Sequence, residues 1–129
     1  MFSKTAQYTF RIVIFVSQDP SKLFSASYIH EKIDIPYKYL TMLMTKLAKA
    51  EILKVHRGRN GGFSLNRDLD KISLIDILNA IEQNDFSNCA LGDEGCDEDF
   101  PCPLHETFSP CKSAFAIMLN DPTLNQFDQ

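Results

Sequence analysis

A chain of 129 residues is the size of one domain with room for an appended element, and 44% hydrophobic residues supply a modest core. No apolar run approaches the ~18 residues that a membrane span needs, and the run at 12–16 lacks a small-residue cleavage site, so neither a span nor a signal peptide is read and a cytoplasmic location is expected. The net charge of −4 conceals a split: residues 1–66 carry ten Lys/Arg against four Asp/Glu and residues 67–129 three against thirteen, which suits a polyanion-binding front with another role behind it.

Residues 3–18 place Ala6, Phe10, Val13, Ile14 and Ser17 at helical spacing and load a second face with Tyr8, Ile12 and Phe15. A helix apolar on most sides is buried on most sides, so one face is expected to meet its own domain and another a partner subunit. Asp19 and Pro20 stop it. Ser25 suits the N-cap of a short second helix with Ile29 and Ile33 pointing inward. Asp34, Ile35 and Pro36 form a turn, with Pro36 at the first position of a third helix, where a missing N–H costs nothing. This helix runs to about Ala50. Leu40, Leu43, Met44 and Leu47 define its core face, opposite Tyr37, Lys38, Thr41, Thr45 and Lys49.

Two short alternating segments then flank a turn rich in Gly and Asn, which predicts a β-hairpin over 53–65. A fourth helix is expected over 72–81, capped by Ser73, with Leu74, Ile77, Leu78 and Ile81 as its stripe. Residues 85–103 show no periodicity. A last helix ends at Asp121 and Pro122, with Cys111, Ala114, Phe115 and Met118 on one stripe. Pro110 either begins that helix after Ser109 or kinks one that started near Leu104. The expected fold class is mainly α with a small β-hairpin wing. It divides into a winged helix-turn-helix unit (1–83), a cysteine-rich loop (84–103) and a C-terminal dimerisation helix and tail (104–129).

Short helix, tight turn, longer helix and basic hairpin follow one another in the order of a winged helix-turn-helix. A major groove admits one helix whose exposed face carries short polar and basic groups, and Tyr37, Lys38, Thr41 and Thr45 supply them. In the hairpin turn Arg57 and Arg59 bring charge, while Gly58, Gly61 and Gly62 let the backbone come close to phosphates. Arg59 at the tip is the candidate for the minor groove. His56 reads as a surface strand residue.

All four cysteines fall within 89–111, spaced Cys89-x6-Cys96-x5-Cys102-x2-His105, with Cys111 following. In a reducing compartment such a cluster points to metal or redox chemistry rather than structural disulfides. Three soft thiolates and an imidazole suit an iron–sulfur cluster or a closed Zn²⁺ site, and the thiols alone would suit a thiol–disulfide switch or a regulator without any cofactor. Cys111 either is a further ligand or, as expected, fills the apolar stripe on which it lies. Cys102 and His105 would be the nucleophile pair of an enzyme, but no oxyanion hole or substrate cleft accompanies them, so catalysis is not expected.

Particular residues also resemble a known family. Lys4, Tyr8 and Arg11 form K-x-x-x-Y-x-x-R in the first helix, and Tyr39-Leu40, Leu43 and Lys46-Leu47 continue in the third. The most specific piece is Arg57-Gly58-Arg59-Asn60-Gly61-Gly62-Phe63-Ser64-Leu65, followed by Ile72-Ser73-Leu74 and Asp76-Ile77-Leu78. Over nearly its whole length the chain resembles the iron–sulfur and redox-responsive winged-helix repressors, which include the iron–sulfur cluster assembly regulator and the nitric-oxide-sensing repressor. The resemblance implies a homodimer on a palindromic double-stranded DNA operator, with Arg59 or Arg57 in the minor groove and Tyr39 and Asn60 in the DNA-binding set. It implies cluster ligation by Cys89, Cys96, Cys102 and His105 as a [2Fe–2S] centre, or a [4Fe–4S] centre completed by the partner's first helix, where this chain has Gln7. Some members read bases with an acidic residue where this chain has Thr41.

Overall fold

In the computed structural model, which describes residues 2–81 and 103–127, the elements follow the expected order. Helix α1 spans Lys4–Ser17, and the Ser3 hydroxyl caps it by accepting from the Ala6 N–H at 3.1 Å. Ala6, Thr9, Ile12, Val13, Val16 and Ser17 face the interior. The buried Thr9 hydroxyl donates to the Thr5 carbonyl at 2.7 Å, so it carries no unmet polar group into the core. Helix α2 spans Ala26–Lys32, with Ser25 capping it and Ile29 and Ile33 buried as expected.

The turn between α2 and the next helix is held by His30, whose Nδ1 lies 2.8 Å from the Ile35 carbonyl oxygen. Helix α3 spans Tyr37–Lys49. Pro36 stands one position earlier than expected: it is the cap residue, extended at ψ 134°, and Tyr37 begins the helix. Leu40, Leu43, Met44 and Leu47 are all fully buried, so the i, i+3, i+4, i+7 stripe is the core face. The helix ends in a Schellman turn. The Ile52 N–H donates to the Leu47 carbonyl at 3.1 Å and the Glu51 N–H to Ala48 at 3.0 Å, which puts Glu51 at φ 62°.

Strands β1 (Leu53–His56) and β2 (Gly62–Leu65) form the antiparallel wing, with Leu53 opposite Leu65 and Val55 opposite Phe63. Phe24 adds a one-residue third rung by exchanging two backbone hydrogen bonds with Phe63, at 2.8 and 2.7 Å. A Cβ on Gly62 would stand 2.5 Å from the Phe24 carbonyl oxygen, so only glycine lets the two backbones approach this closely.

Helix α4, at Leu74–Ala80, is shorter than the expected 72–81. Ser73 and Asp76 form a reciprocal capping box that starts the helix at Leu74 and leaves Ile72 extended but buried. Helix α5 spans His105–Asn120 with Pro110 inside it, which resolves the choice between a start near Leu104 and one after Ser109 in favour of the former. Leu119 is its buried residue, in its own chain's core. Cys111, expected to fill an apolar stripe, is instead exposed, as are Ala114 and Met118, because α5 turns its Phe115–Leu119 side toward the domain. The chain then folds back: the Leu124 N–H donates to the Ile72 carbonyl at 2.9 Å, Thr123 pairs with Ser73, and Leu124 is buried.

Candidate nucleic-acid interface

The α2–turn–α3 unit leads directly into the wing, and both α2 and β1 pack against α3. Along α3, Tyr37, Lys38, Thr45 and Lys49 are exposed and Thr41 is half-buried. Tyr37 is 48% exposed and its ring meets the His30 ring edge-on at 5.5 Å, so the residue that holds the turn also orients the first side chain of the exposed face of α3. The Thr41 hydroxyl donates to the Lys38 carbonyl and the Thr45 hydroxyl to the Thr41 carbonyl, each at 2.9 Å. With their protons committed to the helix, both oxygens keep acceptor lone pairs.

Tyr39 takes a different position from the rest of the set. Its ring is half-buried against Tyr8 at 5.5 Å, and its hydroxyl hydrogen-bonds the Thr5 hydroxyl, so it ties α3 to α1. Lys4 lies over the Tyr8 ring at 5.3 Å, which joins two of the first-helix motif residues.

At the wing tip Arg57, Gly58, Arg59 and Asn60 are all exposed. The turn closes through the Gly61 N–H, which donates to the Gly58 carbonyl at 3.0 Å, with Gly58 at φ 108°, where a side chain would be strained. His56 is a surface strand residue, as expected, and pairs across the hairpin with the Ser64 hydroxyl at 2.8 Å. The elements therefore bring Tyr37, Lys38, Thr41 and Thr45 to one helix face and Arg57, Arg59 and Asn60 to one loop.

Of the cysteine set, Cys89, Cys96 and Cys102 lie outside the described residues. His105 is half-buried in the first turn of α5. Gln7 is exposed on α1 and its amide donates to the Phe2 carbonyl at 2.9 Å. Among the described residues no three His, Cys, Asp or Glu side chains gather as a metal site, and no helix is long and apolar enough to cross a membrane.

Two features near this face were not visible in the sequence. Lys22 stacks over the rings of Phe24 and Tyr28, at 5.2 and 5.0 Å, and Lys32 over Tyr28 at 5.5 Å, which makes a basic, aromatic flank beside α2. Asn66 and Arg67, just past the wing, bind the backbone at the end of α3. Neither group has a periodicity or a motif, so only the fold brings its members together.

This arrangement defines a winged helix-turn-helix transcription regulator that binds DNA. The model of the Rrf2 family, described as an iron-dependent transcriptional regulator, matches residues 2–127, and the chain belongs to that family. An HTH-type transcriptional regulator of Aquifex aeolicus is 28% identical over 127 residues, covering 96% of this chain and 88% of that one. IscR of Sodalis glossinidius is 30% identical over 96 residues, which is 74% of this chain and 58% of that protein. Among solved structures, CymR, the global cysteine regulator of B. subtilis, superposes with a TM-score of 0.80 at 23% identity, covering 98% of this chain and 95% of that one. IscR of T. potens superposes at 0.77 with 22% identity, covering 98% and 85%. Its relatives are transcription regulators and not enzymes.

Proposed function

We propose that the protein is a homodimeric repressor that reads a palindromic operator and senses redox state, nitric oxide or iron status. The observation that carries the DNA-reading part is the joint exposure of Tyr37, Lys38 and Thr45 on α3, beside the half-buried Thr41, with Arg57, Arg59 and Asn60 at the wing tip. In a major groove the acceptor oxygens of Thr41 and Thr45 suit the amino groups of adenine and cytosine. Lys38 and Lys49 sit where phosphates would pass, and Arg59 is the side chain that enters the minor groove. Tyr39 supports α3 from behind.

The second copy is proposed on α5. Ile117 and Met118 are 60 and 36% exposed, and with Ala114 they leave an apolar helix face, away from the Phe115–Leu119 side, that a second α5 would cover. Leu119 is occupied within its own chain.

For sensing, the donor set is Cys89, Cys96 and Cys102, in the segment 84–103, with His105 at the start of α5. Three thiolates and one imidazole fit an iron–sulfur cluster by softness and number. A cluster bound there would supply a centre that responds to oxidants, nitric oxide or iron supply. Cys111 stands outside the set on an exposed face. Iron and acid-labile sulfide assayed on protein purified without oxygen test the reading. Stoichiometric iron and sulfide with visible charge-transfer bands are expected. Zinc, or no metal with oxidisable thiols, would move sensing to a closed zinc site or to thiol–disulfide exchange and leave the DNA-binding dimer standing.

A further inference from the structure

The recognition helix and the wing share one root. The last turn of α3 runs through Ala50, Glu51 and Ile52 straight into β1, and β2 returns to the same point at Leu65. Three consecutive carbonyls at this root, Ala50, Glu51 and Ile52, lie past the end of the helix and accept from the segment that leaves the wing. The Arg67 guanidinium donates through Nη2 to the Ala50 carbonyl at 2.8 Å. The Asn66 side-chain amide donates to the Glu51 carbonyl at 3.0 Å, and the Asn66 backbone N–H to the Ile52 carbonyl at 2.9 Å. On its other edge the Arg67 Nη1 lies 3.8 Å from the Asp76 carboxylate, which is itself fixed by the capping box of α4.

We infer that Asn66 and Arg67 are positioning residues for DNA recognition, setting the angle between α3 and the wing and referring both to α4. Simultaneous engagement of a major groove by a helix and a minor groove by a hairpin requires that angle to be held, since neither element alone reaches both. Nothing else among the described side chains is shown bridging the end of α3 to the wing exit. The Ala50 bond is the main tie, because the guanidinium is charged and its geometry is good. The Asp76 contact is long and one-third exposed on both sides, so it steers Arg67 rather than anchoring it. Neither residue lies on the reading face or at the wing tip, so neither is a DNA contact.

The inference rests on the DNA-binding reading, and the experiment separates the two. A duplex is selected from a random library by the wild-type protein, and a shuffled duplex of equal composition serves as the non-specific probe. Arg67→Gln, Arg67→Lys and Asn66→Ala are then titrated on both duplexes across a salt series, well below each thermal midpoint. For Arg67→Gln the selected duplex is expected to lose about tenfold in affinity while the shuffled duplex stays within about twofold and the salt slope is unchanged. Arg67→Lys restores part of the loss, because an ammonium still reaches one carbonyl. Should Arg67→Gln fail to fold, exposed Asn66→Ala carries the same ratio test with the Arg67 bond intact. Equal losses on both duplexes with a slope shallower by about one would make Arg67 a phosphate contact and overturn the inference. A lowered midpoint with an unchanged ratio would make both residues merely structural and overturn it equally. If the wild-type protein selects no duplex, the DNA-binding reading falls and the inference with it.

Discussion

Helices α3 and α5 are of similar length, 13 and 16 residues, yet they meet the rest of the chain in opposite ways. Four side chains of α3 are completely buried, and its exposed positions, Tyr37 and Met42 apart, are polar or basic. In α5 one residue, Leu119, is buried, while Phe108, Ile117 and Met118 face outward. An amphipathic helix whose apolar side is satisfied can offer its polar side to a polyanion. A helix that leaves apolar side chains in water points to a further covering surface. The comparison separates the face proposed for DNA from the face proposed for a second copy, and the charge split along the chain runs the same way.

The contrast breaks most visibly in the core. Leu43→Ala should cost about 2–5 kcal/mol in denaturant unfolding, because it opens a cavity where α3 meets the domain. Ile117→Glu on α5 should leave the fold intact and shift the protein toward monomer, with an apparent dimer dissociation constant raised by at least about tenfold in sedimentation velocity. If it destabilises the monomer as Leu43→Ala does, the two helices are not distinguished by their partners. Arg59→Ala should weaken binding to the selected duplex and lower the salt slope by about one, with a thermal midpoint near wild type. The smallest effect is expected at Glu51→Gly. The left-handed backbone at φ 62° disfavours glutamate, so glycine there should be neutral or stabilising by up to about 1 kcal/mol in the same unfolding assay.

Much of this was readable from local chemistry. The Ser25 and Ser73 caps, the α3 core stripe and the hairpin fall where spacing and turn residues put them, since each depends on neighbours within a few positions. The side of α3 that carries Tyr37, Lys38, Thr41 and Thr45 was legible for the same reason: it must lie opposite a stripe that has to be buried. The errors came where a stripe had more than one possible partner. Cys111, Ala114 and Met118 follow helical spacing, but periodicity says only that one side is apolar, not whether its own domain covers that side.

By itself, then, the sequence determined the elements, their order, the charge of the two halves and the family. It did so because caps, periods and glycine turns act over short separations. Tertiary structure decided what rests on contacts between distant segments. These are the third rung at Phe24, the return of Leu124 onto Ile72, the inward turn of Leu119 and the convergence of Asn66 and Arg67 on the end of α3. Each joins residues far apart in the chain through hydrogen bonds, from backbone or side chain, or through van der Waals packing. No composition or spacing encodes such a meeting until the core has closed and brought the two segments together.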